Sequence, residues 1–326
     1  MSASQQNDFD PLAYNPTFQW HFLKPKYWGT WLTLVLLIPV ALLPIRLRYW
    51  LSSKVAGWLA KQRKSTALTA WVNLELCFPE KSEQEREEIL KQTLTTAGVF
   101  LTGFSLLTLR SKHWLTQQCD IRGLENIENV LSQGKNAILL VPHTWAIDIP
   151  AILLASKGMP VSAMAKKQSN EVMDWLMHRQ RVQYGGRVYE RSGGVKPFIK
   201  SVRDGYLGYY LPDQDHGPEH SIFVDFFATT KATLPGLGKL SKVSKAVIVP
   251  VYSMIDAKTG RYVVEIFPAF ENFPTGTEQQ DARKMNAFIE QQAGQYPEQY
   301  MWILKLLKTQ QDGSNVYKLA KQKLKK

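Results

Sequence analysis

Cysteine is nearly missing from this 326-residue chain: Cys77 and Cys119 are the whole complement. Two thiols make no disulfide framework and fit a reducing compartment. Cys77, inside LELCFPE, reads as buried filler at a helix end and not as a nucleophile. No GxSxG string occurs, which disfavours a serine-hydrolase elbow, and there is no Walker A loop. Gly236-Leu-Gly238-Lys-Leu-Ser241 lacks the third glycine and the preceding strand of a dinucleotide loop. His216-Gly-Pro-Glu219-His220 spells the inverted zinc-protease string. Gly217 and Pro218 oppose the helix that would put both imidazoles on one face, so no metal is expected there or elsewhere. Internal repeats and Gly/Ser-rich linkers are also missing, which favours one globular unit.

Acidic residues are in deficit, 28 against 40 Lys and Arg, for a net charge of +12. Such a balance calls for an acidic partner. The sequence carries no Arg/Lys-aromatic nucleic-acid module, which leaves anionic lipid or an acidic carrier protein. Charge is wholly absent from Tyr27 to Ile45, YWGTWLTLVLLIPVALLPI, a run just long enough to cross a bilayer core of roughly 20 residues. It starts too late for a signal peptide, follows Asp8 and Asp10, and has no small-residue cleavage site. Trp28, Trp31 and Trp50 stand near its edges as interfacial anchors. More basic residues follow it (Arg46, Arg48, Lys54, Lys61, Arg63, Lys64) than precede it, so the bulk of the chain is expected on the cytoplasmic side. Pro39 and Pro44 leave open a segment lying in the interface.

Residues 1–20 read as a flexible polar N-terminus, 21–50 as a membrane anchor, 51–310 as the main domain and 311–326, ending KLAKQKLKK, as a basic tail. Leu51–Leu76 reads as one long helix with apolar and basic faces, suited to resting on anionic lipid. Ser82 and Glu85 form a capping box opening a second helix, uncharged from Gln92 to Leu109. From Cys119 onward strands and helices alternate. The strands are Cys119–Arg122, Ala137–Val141, Val161–Ala165, Val188–Glu190, Tyr206–Leu211, Ile222–Phe227, Ala246–Tyr252 and Tyr262–Phe267. Between them lie helices at Leu124–Ser132, Ala146–Lys157, Glu171–Gln183, Lys196–Asp204 and Pro235–Lys242, with Asp281–Gln292 and Gln299–Leu307 to follow. The pattern predicts an α/β fold with a mostly parallel mixed sheet flanked by helices.

Four stretches carry chemistry. His143 follows the apolar strand Ala137–Val141 and Pro142, and Asp148 lies five residues on, at the start of a second apolar run. Residues five apart on a regular helix do not share a face, so a His before the helix and an Asp in its first turn can fold together. The carboxylate would orient the imidazole and fix its tautomer, making a general base; a structural His beside a helix-start acid is the plainer alternative. Gly185-Gly-Arg187-Val-Tyr189-Glu-Arg191 offers Arg191, with Arg187 beside it, to hold a phosphate. Pro212-Asp213-Gln214-Asp215 follows an apolar strand, where parallel-sheet enzymes place ligand contacts. Val249-Pro250-Val251 closes another buried strand.

In this order and spacing, these blocks resemble the glycerolipid acyltransferase superfamily, whose members carry HxxxxD, a Gly-rich segment ending in Arg, a Pro-Glu-Gly block and a late Val-Pro. Here Pro212-Asp213-Gln214-Asp215 stands in the Pro-Glu-Gly position, a departure that argues against glycerol phosphate as acceptor. This is the form seen in the lipid A late acyltransferases of Gram-negative bacteria, and VPHTWAIDIPA at 141–151, GYYLPDQDHGPEHS at 208–221, FVDFFAT at 223–229 and WILKLLKT at 302–309 are similar to the myristoyl-transferring branch. The resemblance covers roughly residues 20–310. It implies a glycerolipid acyltransferase-like fold on a helical membrane-docking base, at the inner membrane with the catalytic domain on its cytoplasmic face. It implies transfer from acyl carrier protein to the 3-hydroxyl of an acyl chain on a Kdo2-lipid A precursor, with anionic lipids as surface partners and no cofactor. His143 and Asp148 would be catalytic; Arg191, Arg187, Asp213, Gln214 and Asp215 would bind substrate. The alternatives are a glycerophospholipid acyltransferase and a lipid hydrolase using the same pair.

Overall fold

The computed structural model of the protein describes residues 10–323; the outermost residues of the expected N-terminus and basic tail lie outside that range. Helices α1 (Trp28–Leu42), α2 (Ile45–Gln62), α3 (Thr66–Cys77), α4 (Glu83–Gly103), α5 (Leu106–Leu109) and α6 (Lys112–Gln118) come first. The chain then runs β1 (Cys119–Arg122), α7 (Glu125–Ser132), β2 (Asn136–Leu140), α8 (Ile149–Ser156), β3 (Val161–Ala165), α9 (Glu171–Arg181), β4 (Arg187–Glu190), α10 (Lys196–Arg203) and β5 (Leu207–Tyr210). After these come β6 (Ile222–Phe226), β7 (Thr229–Thr233), α11 (Leu237–Ser244), β8 (Ala246–Ile255), β9 (Tyr262–Ile266), α12 (Glu278–Gln295) and α13 (Val316–Lys323).

Seven strands form one sheet in the order β1-β9-β8-β2-β5-β3-β4, and β6 with β7 makes a separate hairpin. Every pairing in the large sheet is parallel except β8 with β9. This is the mixed, mostly parallel α/β fold expected. The β2, β3, β4, β5 and β8 strands all run the same way, so the segments leaving β2, β4 and β5 emerge at one edge, the usual place for a ligand crevice. β2 is buried on both faces, as the continuous apolar run Ala137–Leu140 requires.

Three elements differ from the sequence reading for physical reasons. The expected helix Leu51–Leu76 is two, α2 and α3, because Arg63 ends α2 in the left-handed region and Ser65 also has positive φ. The hairpin strand β7, Thr-Thr-Lys-Ala-Thr, has too little apolar alternation to stand out. Gln299–Leu307 is no helix: after a single 3-10 turn at Pro297–Gln299 the chain runs irregularly, with Tyr300, Trp302, Leu306 and Leu307 fully buried. With Lys305 the one exposed residue from 300 to 307, the run carries no period that separates a helix from a buried irregular path.

That irregular segment keeps its carbonyls satisfied through one side chain. The Asn73 amide of α3 donates to the carbonyls of Trp302 at 2.6 Å and Leu304 at 2.8 Å, and its own oxygen accepts from the Tyr317 hydroxyl at 2.6 Å. Asn73→Ala strands buried acceptors and is expected to cost roughly 2–4 kcal/mol, read as a lower urea midpoint at unchanged m-value. The same contact pins the tail's helix, Val316–Lys323, through Tyr317. Residues 10–20, expected to be loose, are tied to β4: the Tyr14 N–H donates to the Val188 carbonyl and Asp10 accepts from the Tyr189 hydroxyl.

The helices α1 and α2 are turned inside out. Pro25–Leu42 is long and apolar enough to cross a membrane, and only 11% of it is buried; Trp28, Leu32, Val35 and Leu36 are exposed. α2 buries Arg48, Ser52, Ala56 and Ala60, one every fourth residue, while Trp50, Leu51, Val55 and Trp58 face outward. Small residues on the packed face let α2 approach α4 closely; a Cβ added at Gly98 would meet Ser52 at 2.8 Å. The second apolar stretch, Glu83–Leu109, is half buried and packs as a core helix whose Ser82/Glu85 capping box forms as expected.

Candidate active site

His143 leaves the carboxyl end of β2, and Asp213 leaves the carboxyl end of the neighbouring β5. Parallel pairing of Leu140 with Tyr210, continued by a 2.9 Å bond from the Val141 N–H to the Tyr210 carbonyl, sets the two loops side by side. The fully buried Asp213 carboxylate accepts from the His143 backbone N–H at 2.7 Å and, in a short contact, from His143 Nδ1. An ionised carboxylate can only accept, so Nδ1 carries a proton, and Nε2 is left to face the Gln214 amide. The backbone of His143 is fixed from behind by the irregular C-terminal segment. Its carbonyl accepts from the Met301 N–H at 2.9 Å, and Thr144 bridges Tyr300.

Burial alone would push the Asp213 carboxyl up, yet the His143 imidazole, its hydrogen bonds and the Lys231 ammonium together hold it below the ordinary range. Lys231, on β7, is 0% exposed. Its Nζ has no hydrogen-bond acceptor among the described residues and sits 5.4 Å from the Phe226 ring centre. Burial lowers its pKa while Asp213 and Asp215 pull the other way. Tyr300 also faces Asp213; burial first, then that negative charge, raise its phenol well above the usual value.

The expected pairing of His143 with Asp148 is replaced by two separate pairs. Asp148, the residue just before α8, is held by Arg181 at the end of α9, with bonds of 2.9 and 3.3 Å. That carboxylate raises the Arg181 pKa. Residues 145–148 form a turn that delivers Asp148 to α9, and the imidazole is already claimed by the adjacent strand. Spacing along the chain does not reveal strand order, and strand order chose Asp213.

The other sequence-derived residues divide. Gln214 and Arg191 join the site: Gln214 Nε2 lies 3.4 Å from His143 Nε2, and Arg191 donates to Gln214 Oε1 at 3.1 Å and lies 3.0 Å from His216 Nδ1. Arg191 is exposed at the carboxyl end of β4, placed to meet an anion. Arg187 does not join it. Its guanidinium is buried, 3.6 Å from Asp10 and 3.7 Å from Asp204, and lies over the Tyr206 ring. At the start of β4 it points away from the edge that Arg191 reaches. Asp215 turns its carboxylate to the Thr309 N–H and hydroxyl at 2.6 and 2.8 Å, locking the C-terminal segment and not facing a substrate. Around the zinc-protease string the chain makes one 3-10 turn, Pro218–His220, after Gly217 at φ 89°. Val249-Pro250-Val251 lies within β8, buried beside β2. On either side of Ala146 the N–H groups of Trp145 and Ile147 already bond the carbonyls of Gln299 and Thr144.

An imidazole with one nitrogen held by a buried carboxylate and the other meeting only a side-chain amide at 3.4 Å, at the carboxyl edge of a parallel sheet, suits an enzyme that deprotonates a substrate group. The chain belongs to the bacterial lipid A biosynthesis acyltransferase family, whose sequence profile matches residues 15–309. It is 44% identical over 319 residues to a lipid A biosynthesis acyltransferase of Haemophilus influenzae, covering 97% of this chain and 100% of that one. It is 44% identical over 300 residues to the lipid A biosynthesis myristoyltransferase of Escherichia coli K12, covering 92% and 93%. With the lauroyltransferase of the same organism the identity is 29% over 299 residues, covering 91% and 97%.

Proposed function

We propose that the protein transfers a myristoyl chain from acyl carrier protein to the 3-hydroxyl of an acyl chain on a Kdo2-lipid A precursor, at the cytoplasmic face of the inner membrane. The observation that carries this reading is the His143 ring, held at Nδ1 by Asp213 and meeting at Nε2 only the Gln214 amide, 3.4 Å away, which Arg191 holds in turn. An alcohol is a poor nucleophile at neutral pH and needs a base at hydrogen-bond distance. His143 Nε2 takes the hydroxyl proton as the oxygen attacks the thioester carbon, and Asp213 stabilises the imidazolium that forms. The C–S bond then breaks and the proton passes to the leaving thiolate. The thioester is already activated, so the reaction asks for no cofactor, and no covalent enzyme intermediate is required.

The myristoyl assignment is supported by the higher identity to the named myristoyltransferase than to the lauroyltransferase. The outward Trp and Leu residues of α1 and α2 support a membrane anchor and docking base. A net charge of +12 suits both anionic lipid and an acidic carrier protein. In this reading Arg191 binds an acceptor phosphate. Arg191→Ala is expected to raise the acceptor KM about tenfold with a smaller change in kcat, in assays with purified precursor; an unchanged KM would remove Arg191 from the site.

The direct test is mass spectrometry of lipid A from cells with and without the gene, alongside purified protein given acyl carrier protein thioesters. A gain of one myristoyl chain that depends on the protein supports the reading. Product formed on lysophosphatidic acid in place of the lipid A precursor points to glycerophospholipid acylation. Free fatty acid as the main product without acceptor points to hydrolysis.

A further inference from the structure

Away from the His143 site, a buried guanidinium stands beside an open cavity. Arg48 on α2 is 8% exposed, and no hydrogen bond or ion pair to its side chain occurs among the described residues. A guanidinium carries five donors and stays charged in proteins, so burying it with no acceptor is costly unless an anion completes the site. Desolvation pushes its pKa down. The surroundings make room for it: a Cβ at Gly103 would lie 2.4 Å from one guanidinium nitrogen, and one at Gly260 would lie 3.8 Å from another. The adjoining cavity is about 230 Å³ and is also lined by Arg110, Gln118, Thr259, Tyr262 and Leu42.

Position supplies the class of ligand. Leu42 is the exposed last residue of α1, the helix long and apolar enough to cross a membrane. One end of the cavity therefore adjoins apolar helix surface, and Arg48, Arg110, Gln118, Thr259 and Tyr262 give an otherwise apolar lining its polar groups. We propose that this cavity is a binding site for a lipid-borne phosphate, held by Arg48 from inside and Arg110 from the rim. Arg-phosphate pairing gives the charge-assisted, two-pronged contact that Arg48 otherwise lacks. The phosphate of a bilayer phospholipid and that of a glycolipid such as the acceptor share this chemistry. The site does not depend on the acyl-transfer reading, because its test reads binding and not turnover.

Full-length protein in an uncharged maltoside detergent is titrated with phosphatidylglycerol, and bound lipid is counted by native mass spectrometry with thermal unfolding in parallel. Wild type is expected to hold one lipid more tightly than Arg48→Met, by about tenfold or more, the loss of a charge-assisted pair. Arg110→Gln, a change at an exposed position, is expected to weaken the same lipid severalfold and keeps the test usable should Arg48→Met fold poorly. Displacement of phosphatidylglycerol by a lipid A precursor identifies the acceptor as occupant; retention identifies a bilayer phospholipid. Inorganic phosphate, added alone, is expected to stabilise wild type less than the lipid does. Equal lipid affinity in wild type and both variants overturns the proposal.

Discussion

His143→Asn is expected to reduce turnover by roughly a thousandfold while leaving thermal stability close to that of the parent protein, since a positioned general base typically contributes 10²–10⁴. Asparagine is the informative replacement. Its amide can still donate toward Asp213 where Nδ1–H does, so the buried carboxylate keeps a partner and the loop from β2 keeps its anchor. What disappears is the lone pair at Nε2. Alanine would remove both at once and leave the buried Asp213 with only the residue-143 backbone N–H and the nearby Lys231 charge, mixing a chemical loss with a folding loss. Rates with purified acyl carrier protein thioester, read beside a melting curve, separate the two. Near-normal turnover in His143→Asn would remove the imidazole from the chemistry.

The second large effect distinguishes the two carboxylates. Asp213→Asn is expected to lower kcat by 10²-fold or more, because an amide facing Nδ1 can donate to it and move the imidazole proton onto Nε2, the wrong tautomer for a base. Asp148→Asn is expected to act otherwise. It loosens the bonds to Arg181, which costs about 1–3 kcal/mol for a partly exposed pair, and slows the enzyme through a less firmly held turn. The test is paired: kcat, melting temperature and pH-rate profile for each variant. The pH-rate profile is expected to change shape in Asp213→Asn alone. An intact rate in Asp213→Asn with collapse in Asp148→Asn would restore the dyad inferred from spacing.

How far the sequence reveals this molecule depends on whether a feature is local or set by strand order. The parallel sheet was legible because βα alternation has a period, and β2 stood out because four fully buried apolar residues precede Pro142. His143 was legible as a polar residue at the carboxyl end of such a strand. Its partner was not, because adjacency of β2 and β5 is a long-range fact with no local signal; Asp213 could be placed at the site but not on the imidazole. Lys231 was hidden for the same reason, being a single Lys in a weakly patterned strand. The Tyr300–Leu307 segment misled by being apolar at every position but Lys305: most of it is buried or half-buried in an irregular path that holds His143 from behind. Arg187 misled differently, since only the fold shows that Asp10, from the N-terminal stretch, reaches it.

The measurement closest to the central claim is nitrogen NMR of the His143 ring, with labelled histidine and assignment by the His143→Asn variant. The geometry predicts a ring protonated on Nδ1, with shifts that change in Asp213→Asn and hold in Asp148→Asn. A ring protonated on Nε2, or one that responds to Asp148 and not to Asp213, would contradict it.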